Sequence, residues 1–133
     1  MDGQKDRKAS DKKRTSLKDA FGFAFEGISY TVRTQHNMRI HMVIAACVLV
    51  LSVFFRLTPI EWAVILICIG LVLMTEMLNT AIEAIIDLVS PEYHPLAKIA
   101  KDIGAGMVVV FSVLAAIIGC IVFTQAILRM LGS

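Results

Sequence analysis

The chain has 133 residues, 57% of them hydrophobic and only 18% charged, with 13 Lys+Arg against 11 Asp+Glu and a formal net charge of +2. A soluble domain carries about 25% charged residues, and with a mean hydropathy of +0.75 the composition excludes an ordinary water-soluble fold and points to an integral membrane protein. Nine of the 13 basic residues precede position 40, leaving only Arg56, Lys98, Lys101 and Arg129 beyond it; this is the distribution of a membrane anchor, and no nucleic-acid partner is expected.

Residues 1–16 read as a solvated charged tail. The first apolar core begins late and no small-residue cleavage pattern follows, so no signal peptide is expected. In LKDAFGFAFEGISYTVRTQ (17–35), Leu17, Phe21, Ala24, Phe25, Ile28 and Val32 recur at helical spacing beside a basic flank. The pattern predicts an amphipathic helix that lies in the membrane interface or packs on the spans. Residues 17–133 form one membrane domain without internal repeats. Its first span is set at 38–57, long enough if Arg39 and Arg56 snorkel outward. RLTPIEW (56–62) is a turn in which Pro59 opens the next helix and Trp62 suits an interface belt. The second span covers 60–88. SPEYHP (90–95) breaks it, and Pro95 starts a third span over 96–130, whose core from Ile103 to Leu128 has no charge. The expected fold is therefore all-α and integral to the membrane: one interfacial helix and three transmembrane helices. The basic N-terminus, Lys98 and Lys101 place the N-terminus and the 88–102 loop in the cytoplasm and the C-terminus outside the cell membrane. Cys47, Cys68 and Cys120 lie in three different apolar segments and read as small buried hydrophobes.

The second span contains EMLNTAIEAIID (76–87). Three acids facing lipid would cost roughly 7–10 kcal/mol on insertion scales. At about 100° per residue, Glu83 lies about 20° from Glu76, Asp87 about 40° from Glu83, and Asn79 on the same side. The four form one stripe. Glu76 and Glu83 differ by about 10 Å in height, too far to share a proton but suited to bracket a reacting group. A single such residue would read as interhelical glue; four in register read as a functional site. Three helices of one chain can scarcely enclose the stripe, so an oligomer is expected. Ala100 with Gly104, Ser112 with Ala116, and Ala115 with Gly119 supply small-residue pairs for close packing.

EYHPLAKIAKD (92–102) adds Lys98 and Lys101 at a helix start, where free N–H groups and the dipole favour anions. Lysine beside carboxylates able to hold a divalent cation suits a polyphosphate; alone, the two lysines read as positive-inside anchors. Walker and GxGxxG motifs are absent.

EMLNTAIEAIID followed by EYHPLAKIAKD resembles the prokaryotic diacylglycerol kinase and undecaprenol kinase family, over roughly Gly27 to the end. The resemblance implies a small homotrimeric membrane enzyme that moves the γ-phosphate of ATP to a lipid hydroxyl with Mg²⁺. By motif position, Glu76 resembles the general base, with Asn79 its neighbour in the catalytic site. Glu83 resembles a metal and nucleotide ligand, Lys101 and Asp102 the phosphate and adenine contacts, and Glu92, Tyr93 and His94 the nucleotide-binding loop. Arg39, with Glu76, is assigned to the lipid substrate, and Arg14 to a nucleotide contact. At Gln35 the family usually carries Glu, its second metal ligand, so Gln35 is the nucleotide- and metal-site position where this chain departs. NMRIH and HPLAK resemble the Gram-positive undecaprenol kinase branch, which favours undecaprenol over diacylglycerol. A small oligomeric transporter or ion pathway is the alternative of another class; a conduit needs neither the Lys101–Asp102 pair nor the EYH loop.

Overall fold

The computed structural model describes residues 16–132. It contains four helices: α1 (Leu17–Thr34), α2 (His36–Phe54), α3 (Pro59–Val89) and α4 (Pro95–Leu131). The charged tail and Arg14 lie outside the described residues, apart from Ser16, whose backbone N–H donates to Asp19 at the start of α1 (3.2 Å). The chain divides into two compact units between Tyr30 and Thr31. In the first, the α1 apolar face of Leu17, Phe21, Phe25 and Ile28 is exposed.

In the second unit, α2, α3 and α4 have 19, 31 and 37 residues and are each apolar enough to cross a membrane. At 1.5 Å per residue they rise about 28, 46 and 55 Å, against a hydrocarbon core of about 30 Å. The first nearly matches it in length; the other two exceed it. The second and third spans were expected over 60–88 and 96–130; the helices α3 and α4 reach one residue further at each end. α3 packs mainly on α4 and more lightly on α2, and it contributes more buried residues than any other helix.

Each helix end has a local cause. α1 stops at Thr34 because Gln35 is extended (φ −100°, ψ 117°) and forms the N-cap of α2. The first span was expected to run to Leu57, with Arg56 reaching outward from the helix. Instead α2 ends at Phe54, and Arg56 takes a left-handed conformation (φ 50°). The Leu57 N–H donates to the Ser52 carbonyl and the Arg56 N–H to that of Val53, both at 3.1 Å. This pair of bonds is a Schellman motif that satisfies the last carbonyls of the helix. It turns Leu57 inward, where it packs with Ile65, Val122 and Ala126. Thr58 and Glu61 then form a capping box around Pro59 at the start of α3. Trp62 is half-buried against the same apolar cluster. At the other end of the pair, His94 caps α4: its Nδ1 accepts from the Leu96 N–H at 3.2 Å, and Pro95 follows at the first helical position.

Two further expectations are corrected. Cys68 is buried, but Cys47 and Cys120 are exposed, on helices whose outer faces are apolar and uncovered. And a single chain does enclose the deeper part of the polar stripe: Glu76, at 1% exposure, and Asn79, at 6%, are buried without a second copy. α3 packs on both α4 and α2, with Gly104 of α4 against Asn79.

Candidate active site

The stripe on α3 sorts its polar groups into those the fold satisfies and those it does not. Thr75 and Thr80 donate back to the carbonyls of Val72 and Glu76, each at 2.9 Å, and are buried at little cost. Neither carboxylate oxygen of Glu76 has a hydrogen-bond partner among the described residues, and the Oδ1 of Asn79 has none either. Leaving a buried polar group unsatisfied costs about 1–3 kcal/mol, and more for a charged one. The titratable groups within electrostatic reach of Glu76 are His41, on α2, and Glu83.

One turn beyond Asn79 the stripe becomes connected. The Asn79 Nδ2 donates to Glu83 Oε1 at 3.1 Å, and Gln35 Nε2 donates to Glu83 Oε2 at 2.9 Å. Gln35 does not cap the helix it opens; its side chain crosses to α3 instead. Glu83 is half-buried and each oxygen takes one amide hydrogen bond. Asp87, one more turn along, is exposed and forms an ion pair with Lys101 on α4, while Lys98 pairs with Asp102. The two lysines and two acids thus cover the α3–α4 end as a charged surface. Glu92, Tyr93 and His94 are exposed in the turn that joins the helices, and Arg39 is exposed on α2. The arrangement gathers Gln35, Asn79, Glu83 and Glu76 around one face of α3, and sets Lys101, Asp102 and the 92–94 turn at its end.

Sequence reasoning did not find three features. Gly104 on α4 lies directly against Asn79. Arg129 grips Glu61 with two hydrogen bonds, at 3.1 and 2.9 Å, across 68 residues of chain. An apolar pocket of about 410 Å³ runs among α2, α3 and α4, from His41 and Leu51 through Val72 and Leu73 to Ser112 and Phe123. The small residues Ser112, Ala115, Ala116 and Gly119 line this pocket, although the sequence suggested them for packing between copies. The Glu61–Arg129 pair had a possible signal, a lone arginine near the far end of an apolar span; the other two depend on the three-dimensional register of α4.

The family model of prokaryotic diacylglycerol kinase matches residues 22–123, a segment that contains every member of this site from Gln35 to Asp102. The chain belongs to the prokaryotic diacylglycerol kinase family. It is a kinase, a phosphotransferase that acts on a hydroxyl group. Among relatives of this kinase, the undecaprenol kinase of Bacillus subtilis (strain 168) is 44% identical over 104 residues, covering 78% of this chain and 85% of the relative. A diacylglycerol kinase of Synechocystis sp. is 42% identical over 101 residues, covering 75% of this chain and 58% of the longer relative. The diacylglycerol kinase of Escherichia coli (strain K12) is 29% identical over 107 residues, covering 80% and 88%.

Among the described residues no three His, Cys, Asp or Glu side chains converge on one point. Mg²⁺ does not require that, because it is usually held by one or two carboxylates with substrate phosphates and water completing the shell. Glu83 fits such a role: a half-buried carboxylate, reached by two amide side chains, on the stripe that leads toward Lys101. Glu76 does not join it, being about 10 Å away along the helix.

Proposed function

We propose that this kinase phosphorylates undecaprenol with ATP, giving undecaprenyl phosphate. The observation that carries the chemistry is Glu76: a carboxylate shut inside a membrane helix with both oxygens free to take a proton. It serves as the general base for the lipid hydroxyl, and Asn79 holds the next part of the site. Glu83, with Gln35 beside it, takes the nucleotide and its Mg²⁺, which when bound would neutralise charge on the phosphate oxygens. Lys101 and Asp102 leave their present partners to contact phosphate and adenine, with Glu92, Tyr93 and His94 forming the nucleotide loop. Arg39 contacts the lipid acceptor. Depth supports the order, because Glu76 lies farther from the charged α3–α4 end than Glu83 does. The apolar pocket that begins at His41 offers hydrocarbon a place near the base. Bringing reactants together in a closed site and stabilising charge accounts for most phosphoryl-transfer catalysis.

In this reading the protein is a multi-pass protein of the cell membrane, with the tail and the 90–95 turn in the cytoplasm and the C-terminus outside. α1 lies in the interface on its exposed aromatic face, and three copies assemble through the exposed apolar faces of the spans. Residues 17–133 act as one membrane kinase domain.

Undecaprenol is favoured because the Bacillus subtilis undecaprenol kinase shares 44% identity over most of both chains. The 42% match to a diacylglycerol kinase makes diacylglycerol the second acceptor. The test offers both alcohols at equal mole fraction in mixed micelles with Mg²⁺-ATP. Faster labelling of undecaprenol is expected; faster labelling of diacylglycerol reverses the substrate assignment and leaves the site intact.

A further inference from the structure

On α4, Gly104 faces Asn79 of α3. Gly104 is buried, and a Cβ built on it would stand 2.5 Å from Asn79 Oδ1 and 3.5 Å from its Cγ. Gly106 and Gly119, on the same helix, would meet nothing within 4 Å. Helical glycine is unfavourable relative to alanine by roughly 1 kcal/mol, so its use at 104 needs a reason. The reason at 104 is space for the amide.

The side chain in that space is held from both sides. Its Nδ2 donates to Glu83 Oε1 at 3.1 Å, while its Oδ1 is buried against the glycine without a partner among the described residues. The amide is one rigid plane, so pushing Oδ1 away from position 104 shifts Nδ2 as well, and Glu83 must move with it or lose the bond. Exchanging the two ends of the amide gives no escape, because NH₂ needs as much room as oxygen. It would also turn a carbonyl oxygen toward a carboxylate. At 6% exposure, Asn79 has little other space to enter.

We infer that Gly104 is a positioning residue of the kinase site, acting through Asn79 to fix the orientation of Glu83. This rests on the reading of Glu83 as the nucleotide and metal end of the stripe. Gly104 also follows Lys101 by three residues, so the close approach it permits sets how near the basic start of α4 comes to the acids of α3.

The test is a double-mutant cycle of Gly104→Ala and Asn79→Ala on the full chain in detergent, with Gly106→Ala as the control for helix propensity. Two readouts are taken: thermal unfolding without ligand, and the KM for Mg²⁺-ATP against kcat. Gly104→Ala should lower Tm when Asn79 is present and raise it when position 79 is Ala, because the obstruction is then gone and alanine favours the helix. With Asn79 present it should also raise the KM for Mg²⁺-ATP about tenfold, more than it lowers kcat, while Gly106→Ala changes KM by less than about twofold. If Gly104→Ala yields no folded protein, Asn79→Ala/Gly104→Ala should restore it. A Tm loss of equal size in both backgrounds, or two unfolded variants, overturns the coupling to Asn79. A sign change in Tm with KM unmoved keeps the contact and overturns its link to Glu83 as the nucleotide end.

Discussion

The two ends of the α3–α4 pair use glutamate in opposite ways. At the α3 N-terminus, Glu61 accepts from the Thr58 N–H at 2.7 Å and from Nη1 and Nη2 of Arg129. Behind it Leu57, Ile65, Val122 and Ala126 close an apolar cluster. Toward the other end, Glu76 is more deeply buried than Glu61 and its oxygens bond nothing among the described residues. Among the described residues, Glu83 is bonded by the side-chain amides of Asn79 and Gln35, which a ligand can displace. The same pair of helices that supplies a full set of donors at Glu61 withholds them at Glu76. Under the proposed function, bonding for stability sits at one end and the reacting carboxylate toward the other. In the proposed reading, a folded chain tolerates the cost at Glu76 because its bare oxygens take the proton of the lipid hydroxyl.

The sharpest way to break this division is Glu76→Gln. The amide keeps the shape of the side chain but cannot take the proton. Loss of a general base typically costs 10²–10⁴-fold, so kcat should fall by about that factor with the KM for Mg²⁺-ATP nearly unchanged. Because the Glu76 side chain forms no hydrogen bond among the described residues, Tm should stay level or rise. A lower Tm with kcat retained would make Glu76 a structural residue and erase the contrast with Glu61.

Glu83→Gln comes next in size. It keeps an oxygen acceptor for one of the Asn79 and Gln35 amides, sets its own NH₂ against the other, and removes the charge. The half-saturating Mg²⁺ and the KM for Mg²⁺-ATP should each rise about tenfold, with a smaller loss in kcat. Initial rates across a Mg²⁺ titration at fixed ATP distinguish this pattern from that of Glu76→Gln. If the two variants show one pattern, the stripe is a single site and not an ordered pair.

Gln35→Glu should act in the reverse direction and more weakly. The Nε2 that now holds Glu83 is lost, and a second carboxylate takes its place against the first. Without a cation the two charges repel; a divalent cation turns that repulsion into a second charged ligand. The half-saturating Mg²⁺ should fall several-fold, and Tm should become dependent on Mg²⁺. An unchanged titration would place Gln35 outside the metal shell, as a hydrogen-bond donor to Glu83 only.

Much of this arrangement was legible in the sequence where one helix carries it. The stripe from Glu76 to Asp87 follows from spacing on α3 alone, and Pro59 and Pro95 announce the helix starts. What crosses between helices was not legible. No periodicity reveals that Gln35 turns its nitrogen toward Glu83, or that Gly104 is the neighbour of Asn79. Pairing Lys101 with Asp87 depends on the register of α4 against α3. The early end of α2 was hidden for another reason: an arginine in the left-handed conformation does what glycine usually does at a helix terminus, and the apolar run continues through Leu57.

The smallest expected effect tests the quiet end. Arg129 is 46% exposed at its side chain and Glu61 12%, so the pair is worth no more than about 0.2–1 kcal/mol after solvent screening. Glu61→Gln loses the charge yet can still close the capping box with Thr58. Glu61→Ala loses both. Tm should therefore drop more for Glu61→Ala than for Glu61→Gln, with Arg129→Gln close to the latter. Neither kcat nor the KM for Mg²⁺-ATP should change in any of the three, measured well below Tm. A kcat that follows Tm through this series would mean that the clasp at Glu61 sets the register of α4 as far as Gly104 and Lys101. The two ends would then be one mechanical unit, with the carboxylate that is fully bonded helping to hold open the one that is not.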